Sequence, residues 1–448
     1  MSDLETAYNS ALDYLYSFVD YSLKHSSELA KADFNLGRMR ALMAELHNPQ
    51  DQYPIVHVAG TKGKGSVCAL IASGLQSSGY RVGLYTSPHL LDYCERIQIN
   101  DQPVSHQELV DLVADVKVAV ARIPKLTTFE ITTALAFVHF ARQHVDAAVI
   151  EVGLGGRLDA TNVVAPVVSV ITSLSYDHMA VLGNTLAEIA GEKAGIIKPG
   201  IPVVSAPQKD EALQVLLKVA EAHKAPFTLV GRDVTFEPLS HALDGQTLKV
   251  TTGGTDYTFT IPLLGFHQVQ NAAVAAAALW TMRGQRIAIP DSGIEQGFAS
   301  VKWPARFEVV RRDPPVILDS AHNQDSFARL RQALDDYFPG RQAYLIFGAS
   351  EDKNIPGMFS EIRPKVRLML VTKSFHPRAL DPSKIQALAE QAGIPYIIMP
   401  SVDQAFTRAL EMSEKDGSIV VSAGSMFVTA EVMAAWKKRD SETDVRRS

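Results

Sequence analysis

Short runs of aliphatic and β-branched residues alternate along the chain with longer segments of helical periodicity. The runs that predict strands in the first part of the chain are "IVHVA", "RVGLYT", "AAVIEVG", "VVSVITS" and "IPVVSA". They are apolar at consecutive positions, which is typical of strands that helices cover on both faces. The alternation therefore predicts a mostly parallel sheet wrapped by helices.

The pattern changes between Phe227 and Pro262, where "VTFEPLS" and "QTLKVTTGGTDYTFTI" predict antiparallel strands with a "GGTD" turn. "HQVQNAAVAAAALWTM" then predicts a helix, and several prolines interrupt the pattern after Ser300. A second alternating set follows, with the runs "PVILDSA", "AYLIFGA", "RLMLVTK", "PYIIMPS" and "SIVVSAG". The predicted fold class is α/β. A P-loop-type, mostly parallel sheet domain with an antiparallel appendage occupies 1–300, and a smaller Rossmann-like α/β domain occupies 301–448.

Composition narrows the class of protein. The 448 residues are 46% hydrophobic and 21% charged, as in soluble globular proteins. A net charge of −6 offers no broad basic face, so we expect no nucleic-acid partner. We also expect no membrane span, because no apolar run approaches the ~18 residues that one needs. The two cysteines and an acidic N-terminal segment without a secretory pattern indicate a cytoplasmic protein, which we expect to be monomeric.

A glycine-rich loop follows the first predicted strand and nearly matches the phosphate-binding pattern G-x-x-x-x-G-K-[ST]. Gly63 and Lys64 fit it, but Gly65 intervenes before Ser66, and Val58 occupies the place of the first glycine. A strand–loop–helix unit of this kind directs backbone N–H groups and the positive end of a helix toward an anion. Lys64 can then reach outer phosphates, and the Ser66 hydroxyl can face Mg²⁺. The alternative is a helix-entry turn with a solvated lysine.

Polar residues also stand where other predicted strands end, which is where open α/β sheets bind ligands. Glu151 closes an apolar run, and a carboxylate there is costly unless it is paired or binds a metal. It is therefore a candidate Mg²⁺ ligand, with a salt-bridged or helix-capping glutamate as the alternative. His178, beside Asp177, is a second candidate ligand, against an ordinary satisfied histidine. Lys193 taken alone is a charged residue on a helix face.

Nine motifs, taken together and in order, carry a family resemblance: "HVAGTKGKGS", "YTSPHL", "ERIQIN", "FE", "EVGLGGRLDATN", "DH", "EKAGIIKPG", "WPARFE" and "LDSAHN". From about Ala11 to about Met433 the chain closely resembles folylpolyglutamate synthase/dihydrofolate synthase, within the Mur ligase superfamily. The glycine loop resembles the family's own version, G-T-x-G-K-G-[ST]. Lys62 occupies its variable position, which is often Asn in the family.

The resemblance implies an ATP-dependent acid–amino acid ligase that joins L-glutamate to a folate and to dihydropteroate. ATP would phosphorylate the carboxylate, and the glutamate amine would attack the acyl phosphate. A muramyl-type ligase is one alternative, although the position of Gly60 leaves little chain for the extra N-terminal domain of those enzymes. The other is a P-loop small-molecule kinase or nucleotide-binding protein without ligase activity, which would not explain the order of the motifs.

The resemblance also implies site residues. The residues implied in catalysis are Lys64, Glu151, His178 and Lys193, and Lys193 matches a lysine that the family carbamylates. Two Mg²⁺ ions would be held by Ser66, Ser87, Glu151 and His178. ATP would be bound by Gly60, Thr61, Lys62, Gly63, Lys64, Gly65, Ser66, Asn271, Arg306, Asp319 and His322. The folate would be bound by Ser87, Pro88, His89, Phe129, Asp159 and Thr161.

Two of these implied roles have an alternative, and two residues depart from the family pattern. Phe129 would stack on a pterin, with core packing as the alternative. Arg306 would neutralise phosphate, with a linker salt bridge as the alternative. Ser320 and Gln324 depart from the family's D-G-A-H-N-P pattern, and neither change removes a charged group.

Overall fold

A computed structural model describes residues 3–20, 34–285 and 287–447. The chain divides into two compact units: the first is Met1–Ser240, Thr247–Pro262 and Gln268–Val301, and the second is His241–Gln246, Leu263–His267 and Lys302–Ser448. The predicted domains, 1–300 and 301–448, differ from these units at Val301 and in the two short segments at 241–246 and 263–267. In the part of the chain that the structure describes, no helix is both long and apolar enough to cross a bilayer.

An eight-stranded sheet organises the first unit, in the order β4-β3-β2-β5-β1-β6-β7-β8. Strands β2, β5, β1, β6, β7 and β8 are parallel, and β3 and β4 add an antiparallel edge. The strands are β1 Ile55–Ala59, β2 Val82–Tyr85, β3 Ile97–Ile99, β4 Gln102–Pro103, β5 Ala147–Glu151, β6 Val168–Ile171, β7 Val203–Ser205 and β8 Phe227–Leu229.

The predicted appendage is a three-stranded sheet in the order β11-β10-β9. Its strands are β9 Val234–Ala242, β10 Gly245–Thr252 and β11 Thr255–Ile261. The sequence placed its start at Phe227, and this boundary was wrong. Phe227–Leu229 pairs in parallel with Val203–Ser205, so it is the edge strand of the large sheet.

Helices cover the parallel sheet on both faces. Those in the first part of the chain are α1 Asp3–Tyr16, α2 Leu36–Glu45, α3 Lys64–Ser77, α4 His106–Arg122, α5 Thr128–Arg142, α6 Met179–Leu182, α7 Leu186–Ala194, α8 Asp210–Ala222, α9 Phe266–Gly284 and α10 Asp291–Ser300. On one face, a buried cluster joins β1, β2 and β5 to α1, α2, α4 and α5, and another joins β6 and β7 to α7 and α8. Helix α3 also contacts β1, β2 and β5, and its buried residues lie outside both clusters. Burial on both faces explains why all five residues of β1 are buried.

The second unit is built around a six-stranded sheet in the order β12-β13-β17-β14-β15-β16, parallel except for β12. Its strands are β12 Glu308–Arg312, β13 Pro315–Leu318, β14 Ala343–Phe347, β15 Val366–Val371, β16 Tyr396–Ile398 and β17 Ile419–Ala423. Its helices are α11 Gln324–Tyr337, α12 Ile355–Ile362, α13 Pro382–Ala392, α14 Val402–Asp416 and α15 Met426–Arg447. The predicted α/β class, with a mostly parallel sheet followed by a second α/β sheet, is confirmed.

Candidate active site

The carboxyl ends of four parallel strands meet at one edge of the large sheet. Strand β1 lies between β5 and β6, and Val58 of β1 pairs in register with Glu151 of β5. The glycine loop follows β1, so it emerges beside the carboxylate that ends β5. The segments after β2 and β6 leave the sheet at the same edge, which is where this fold class binds ligands.

The glycine loop has no room for side chains at two positions. A Cβ on Gly60 would lie 1.8 Å from Thr172 Oγ1, and one on Gly63 would lie 2.4 Å from Asn271 Oδ1. Gly63 also has a φ of +88°, which a residue with a Cβ rarely adopts. Gly63 caps the N-terminus of α3, so the loop presents the positive end of a fourteen-residue helix.

Backbone hydrogen bonds attach this loop to the segment after β6. The N–H groups of Thr61 and Lys62 both donate to Ser173 O, at 3.0 and 3.1 Å. The Thr61 hydroxyl donates to Ser175 O at 3.1 Å. Lys62 Nζ forms an ion pair with Asp177 Oδ2 at 3.0 Å, and both side chains are mostly buried. The loop is therefore held in place by the segment after β6, through backbone bonds and an ion pair.

Glu151 lies close to one cationic group and one backbone donor. Its side chain is 7% exposed, its Oε1 lies 3.9 Å from Lys64 Nζ, and its Oε2 accepts a hydrogen bond from Ser87 N at 3.1 Å. The carboxylate, the Ser87 hydroxyl and the buried Ser66 hydroxyl are oxygen donors of the kind Mg²⁺ prefers. The donor set fits a magnesium site facing the glycine loop.

Two hydroxyl groups beside the loop are also available to a ligand. Thr172 Oγ1 and Ser175 Oγ are buried and have no hydrogen-bond partner among the described residues. Thr172 Oγ1 is the atom that Gly60 approaches most closely. Buried hydroxyls without a partner cost free energy, so they favour a bound polar group at this position.

Lys193 lies on α7 with its ammonium group beneath the loop. The residue is 4% exposed, and its Nζ donates to Gly60 O at 2.9 Å. Burial, together with the positive charge of Lys64, lowers the pKa of Lys193 to about 7. In a substantial fraction of the molecules, the Lys193 side chain is therefore an uncharged amine at neutral pH. The uncharged amine is the form that reacts with carbon dioxide.

Asp177 and His178 follow β6 and differ in exposure, because the Asp177 side chain is mostly buried and that of His178 is not. His178 has a φ of +50° and a side chain that is 41% exposed. The backbone N–H of His178 donates to Asp177 Oδ1 at 3.0 Å, and the ring Nε2 lies 4.0 Å from the same oxygen. Asp177 thus contacts both the imidazole and Lys62.

The predicted folate residues fall into two groups that differ in exposure. Phe129 is half-buried, and a Cβ on Gly153 would lie 2.4 Å from its Cζ, so its ring rests on that glycine. Thr161 is fully buried, and its hydroxyl donates to Asp159 Oδ1 at 2.5 Å. Asp159 accepts a second bond from Leu154 N at 2.8 Å, and burial raises its pKa. The polar atoms of Asp159 and Thr161 are therefore engaged inside the protein.

The segment after β2 places Ser87, Pro88 and His89 at the same edge. Ser87 is bound to Glu151 through its N–H, as described above, and Pro88 is exposed. His89 Nδ1 accepts a hydrogen bond from Arg96 Nε at 2.9 Å. Burial and the nearby Arg96 lower the pKa of His89 to about 3, so the imidazole is neutral.

The second unit contains three of the predicted nucleotide residues. Asp319 accepts bonds from Phe307 N at 2.8 Å and from Ala321 N at 2.7 Å, and burial raises its pKa to about 6. Arg306 Nη1 donates to Ala305 O at 3.1 Å. His322 Nδ1 donates to Ser320 O at 2.8 Å. These side chains surround the end of β13 and the turn before β12.

One buried residue in the first unit was missed by the sequence analysis. His57 lies in the middle of β1 with no exposed surface, and its Nε2 is 2.8 Å from Thr161 Oγ1. The available signal was a histidine within the otherwise apolar run "IVHVA". Asp177 was noticed beside His178, but its ion pair with Lys62 was not expected.

Comparisons with known proteins cover most of the chain. The Mur ligase middle domain matches residues 58–279, and the Mur ligase glutamate ligase domain matches residues 305–426. A dihydrofolate synthase/folylpolyglutamate synthase of Bacillus subtilis is 37% identical over 437 residues, which cover 95% of this chain and 98% of that protein.

Solved structures agree in fold and in length. The folylpolyglutamate synthase of Mycobacterium tuberculosis in complex with ADP is 31% identical, with a TM-score of 0.89, covering 96% of this chain and 98% of that one. An FPGS complex with AMPPCP and folate is also 31% identical, with a TM-score of 0.80, covering 95% of this chain and 98% of that one.

Proposed function

Since the chain belongs to the folylpolyglutamate synthase/dihydrofolate synthase family of Mur ligases, it is an ATP-dependent ligase, and we propose that it joins L-glutamate to tetrahydrofolate and to dihydropteroate. The observation that carries the proposal is a resemblance spanning nearly the full length of both chains, combined with a glycine loop that faces a strand-end carboxylate. The folate carboxylate would be activated as an acyl phosphate, which the glutamate amine attacks to form an amide and release phosphate.

We assign the phosphate groups of ATP to the loop from Gly60 to Ser66. Its glycines leave the backbone open to close approach, and Lys64 brings a positive charge to the same point. Charge neutralisation and positioning account for most of the catalysis in phosphoryl transfer. Asn271 packs against Gly63 and would support the loop from α9. The proposed ATP-binding residues of the second unit are Arg306, Asp319 and His322.

Two Mg²⁺ ions are proposed, with Ser66, Ser87, Glu151 and His178 as ligands. When bound, the ions would neutralise charge on the phosphates and on the developing acyl phosphate. The contribution of this chain is to orient the Glu151 carboxylate through the bond from Ser87 N.

A carbamate on Lys193 is proposed as part of the same site. The uncharged amine nitrogen of Lys193 attacks carbon dioxide, and an N–C bond forms as one C=O π bond opens. The nitrogen releases one proton to water, which leaves an anionic carbamate whose oxygens can bind a metal. The lowered pKa of this buried lysine supplies the uncharged amine. The carbamate would keep one N–H, so the bond to Gly60 O can persist.

The folate site is proposed on the segments that carry Ser87, Pro88, His89, Phe129, Asp159 and Thr161. Phe129 is the group suited to stack on a pterin ring. Asp159 and Thr161 would act by holding their loop, because their polar atoms are bonded internally. We further propose a cytoplasmic monomer.

Phosphate release tests the proposed function directly. Purified protein with Mg-ATP is assayed with tetrahydrofolate or dihydropteroate, each with and without L-glutamate. The mass of the folate product is measured by mass spectrometry. We expect phosphate release that requires both substrates, and a product heavier by one glutamyl residue. For a small-molecule kinase, glutamate would cause no phosphate release. For a muramyl-type ligase, neither folate would be a substrate.

A further inference from the structure

A buried hydrogen-bonded chain runs from the centre of the sheet to the loop that follows Glu151. His57 on β1 contacts Thr161 Oγ1 through Nε2 at 2.8 Å, and Thr161 Oγ1 donates to Asp159 Oδ1 at 2.5 Å. A carboxylate can only accept, so the threonine hydrogen is committed to Asp159. The threonine oxygen must then accept from His57, which defines Nε2–H as the donor.

This arrangement leaves the other ring nitrogen of His57 without a partner. Nδ1 is buried and has no hydrogen bond among the residues that the structure describes. An unsatisfied buried acceptor destabilises the fold, and an apolar residue would avoid that cost at this position. The donor at Nε2 is therefore what distinguishes histidine from the aliphatic residues beside it in β1.

The chain continues beyond Asp159 to the predicted pterin-stacking residue. Asp159 Oδ1 also accepts from Thr161 N at 3.0 Å, and Oδ2 accepts from Leu154 N at 2.8 Å. One carboxylate thus ties both ends of the loop together. Gly153, next to Leu154, is the residue on which the Phe129 ring rests.

We propose that His57 is a positioning residue for the folate site, acting through Thr161 and Asp159 on the loop that supports Phe129. The inference rests on the proposed function, because it takes Phe129 to face the pterin. His57 itself touches no substrate. Its effect is on folate binding, and the phosphate loop that follows β1 is held by separate bonds to Ser173.

Two substitutions of His57 separate its donor from its volume. In His57→Gln the amide nitrogen reaches about as far as Nε2 and keeps a donor for Thr161, whereas His57→Leu keeps an apolar volume and removes the donor. Ser169→Ala is the matched control, since Ser169 is fully buried, pairs with His57 across the sheet and bonds Ile196 O at 2.9 Å. Each protein is assayed with tetrahydrofolate, L-glutamate and Mg-ATP, and its melting temperature is measured.

We expect His57→Leu to raise the KM for tetrahydrofolate about tenfold, the effect of one lost buried hydrogen bond, and to leave the KM for ATP unchanged. His57→Gln and Ser169→Ala should keep the folate KM of the wild type. Thr161→Val should raise the folate KM as His57→Leu does, and the double variant should show no further increase. Additive effects in the double variant would contradict action through Thr161.

A lower melting temperature of His57→Leu with an unchanged folate KM would overturn the proposal, as would an equal rise of both KM values. Amide hydrogen exchange over residues 153–162 provides a readout that does not depend on ligation. The proposal requires faster exchange there in His57→Leu than in His57→Gln, and equal exchange would refute it. A wild type that does not ligate glutamate would refute the proposed function, while the exchange result would still decide the role of His57.

Discussion

Lys193 Nζ donates a hydrogen bond to Gly60 O at 2.9 Å, which joins helix α7 to the first residue of the glycine loop. The contact places a titratable amine directly beneath the proposed phosphate site. Lys64 also contributes positive charge there, and it lowers the pKa of Lys193 beyond the effect of burial. The two lysines are therefore expected to have different roles.

Lys64→Ala should reduce kcat by about 10²–10³ while the protein remains folded, because one charge-stabilising group is lost from the phosphate site. Glutamate-dependent phosphate release and circular dichroism provide the measurements. Lys218→Ala is the control, since Lys218 is an exposed lysine on α8. Near-normal turnover in Lys64→Ala would rule out its assignment to ATP.

Glu151→Gln should raise the Mg²⁺ concentration needed for half-maximal activity. Glutamine keeps the volume and an acceptor for Ser87 N but loses the charge that a cation requires. A magnesium titration of activity measures the change, with the exposed Glu221→Gln on α8 as control. An unaltered magnesium dependence would mean that the carboxylate only balances Lys64.

Lys193→Ala should abolish activity, and formate or acetate should restore part of it by supplying carboxylate oxygens in place of the carbamate. Activity of the wild type should rise with bicarbonate, and carbamate formation should become easier as pH rises through about 7, where the amine loses its proton. Lys218→Ala should respond to neither anion.

A high-resolution map from crystals grown with bicarbonate and Mg²⁺ decides this prediction structurally. The carbamate requires three heavy atoms of density beyond Nζ. A bare amine in contact with phosphate under those conditions would refute it.

Gly63→Ala should raise the KM for ATP about tenfold or more, because the new Cβ must displace Asn271 Oδ1 and the backbone must keep a positive φ. Gly79→Ala is the matched control, since Gly79 has a φ of +94° and no atom within 4 Å of the added Cβ. It should lose stability without a change in ATP binding. Equal ATP KM values in the two variants would show that the loop tolerates the side chain.

His57 should make the stability of the protein depend on pH in the acid range. Burial, with a contribution from Lys198, lowers its pKa from 6.5 to about 3. Between these values the unfolded chain binds more protons than the folded one, so stability is complete above 6.5 and falls as the pH decreases toward 3. Between pH 7 and pH 5 this group should account for about 2 kcal/mol of the loss.

His57→Gln removes the titrating group and should lose correspondingly less stability over the same range. Urea unfolding at both pH values measures the difference. If the variant lost as much stability between pH 7 and pH 5 as the wild type, a group other than His57 would be responsible for the pH dependence.

The sequence by itself determined the elements that depend on local physics. Runs such as "IVHVA" predicted buried strands correctly, because burial on both faces requires consecutive apolar residues. The glycine loop between a strand and a helix was recognisable for a similar reason. Gly63 has a positive φ, and glycine is the residue that adopts this conformation most readily. The order of nine short motifs was enough to identify the family.

The tertiary structure alone decided which polar groups are partners. His57 and Thr161 are 104 residues apart, and the side-chain period of a strand indicates a face but not the residue across it. The same applies to Lys193 and Gly60, which are 133 residues apart. Asp159 and Thr161 were expected to face a ligand, and only the fold shows their polar atoms bonded internally, because hydrogen-bond pairing inside a core depends on how distant segments pack.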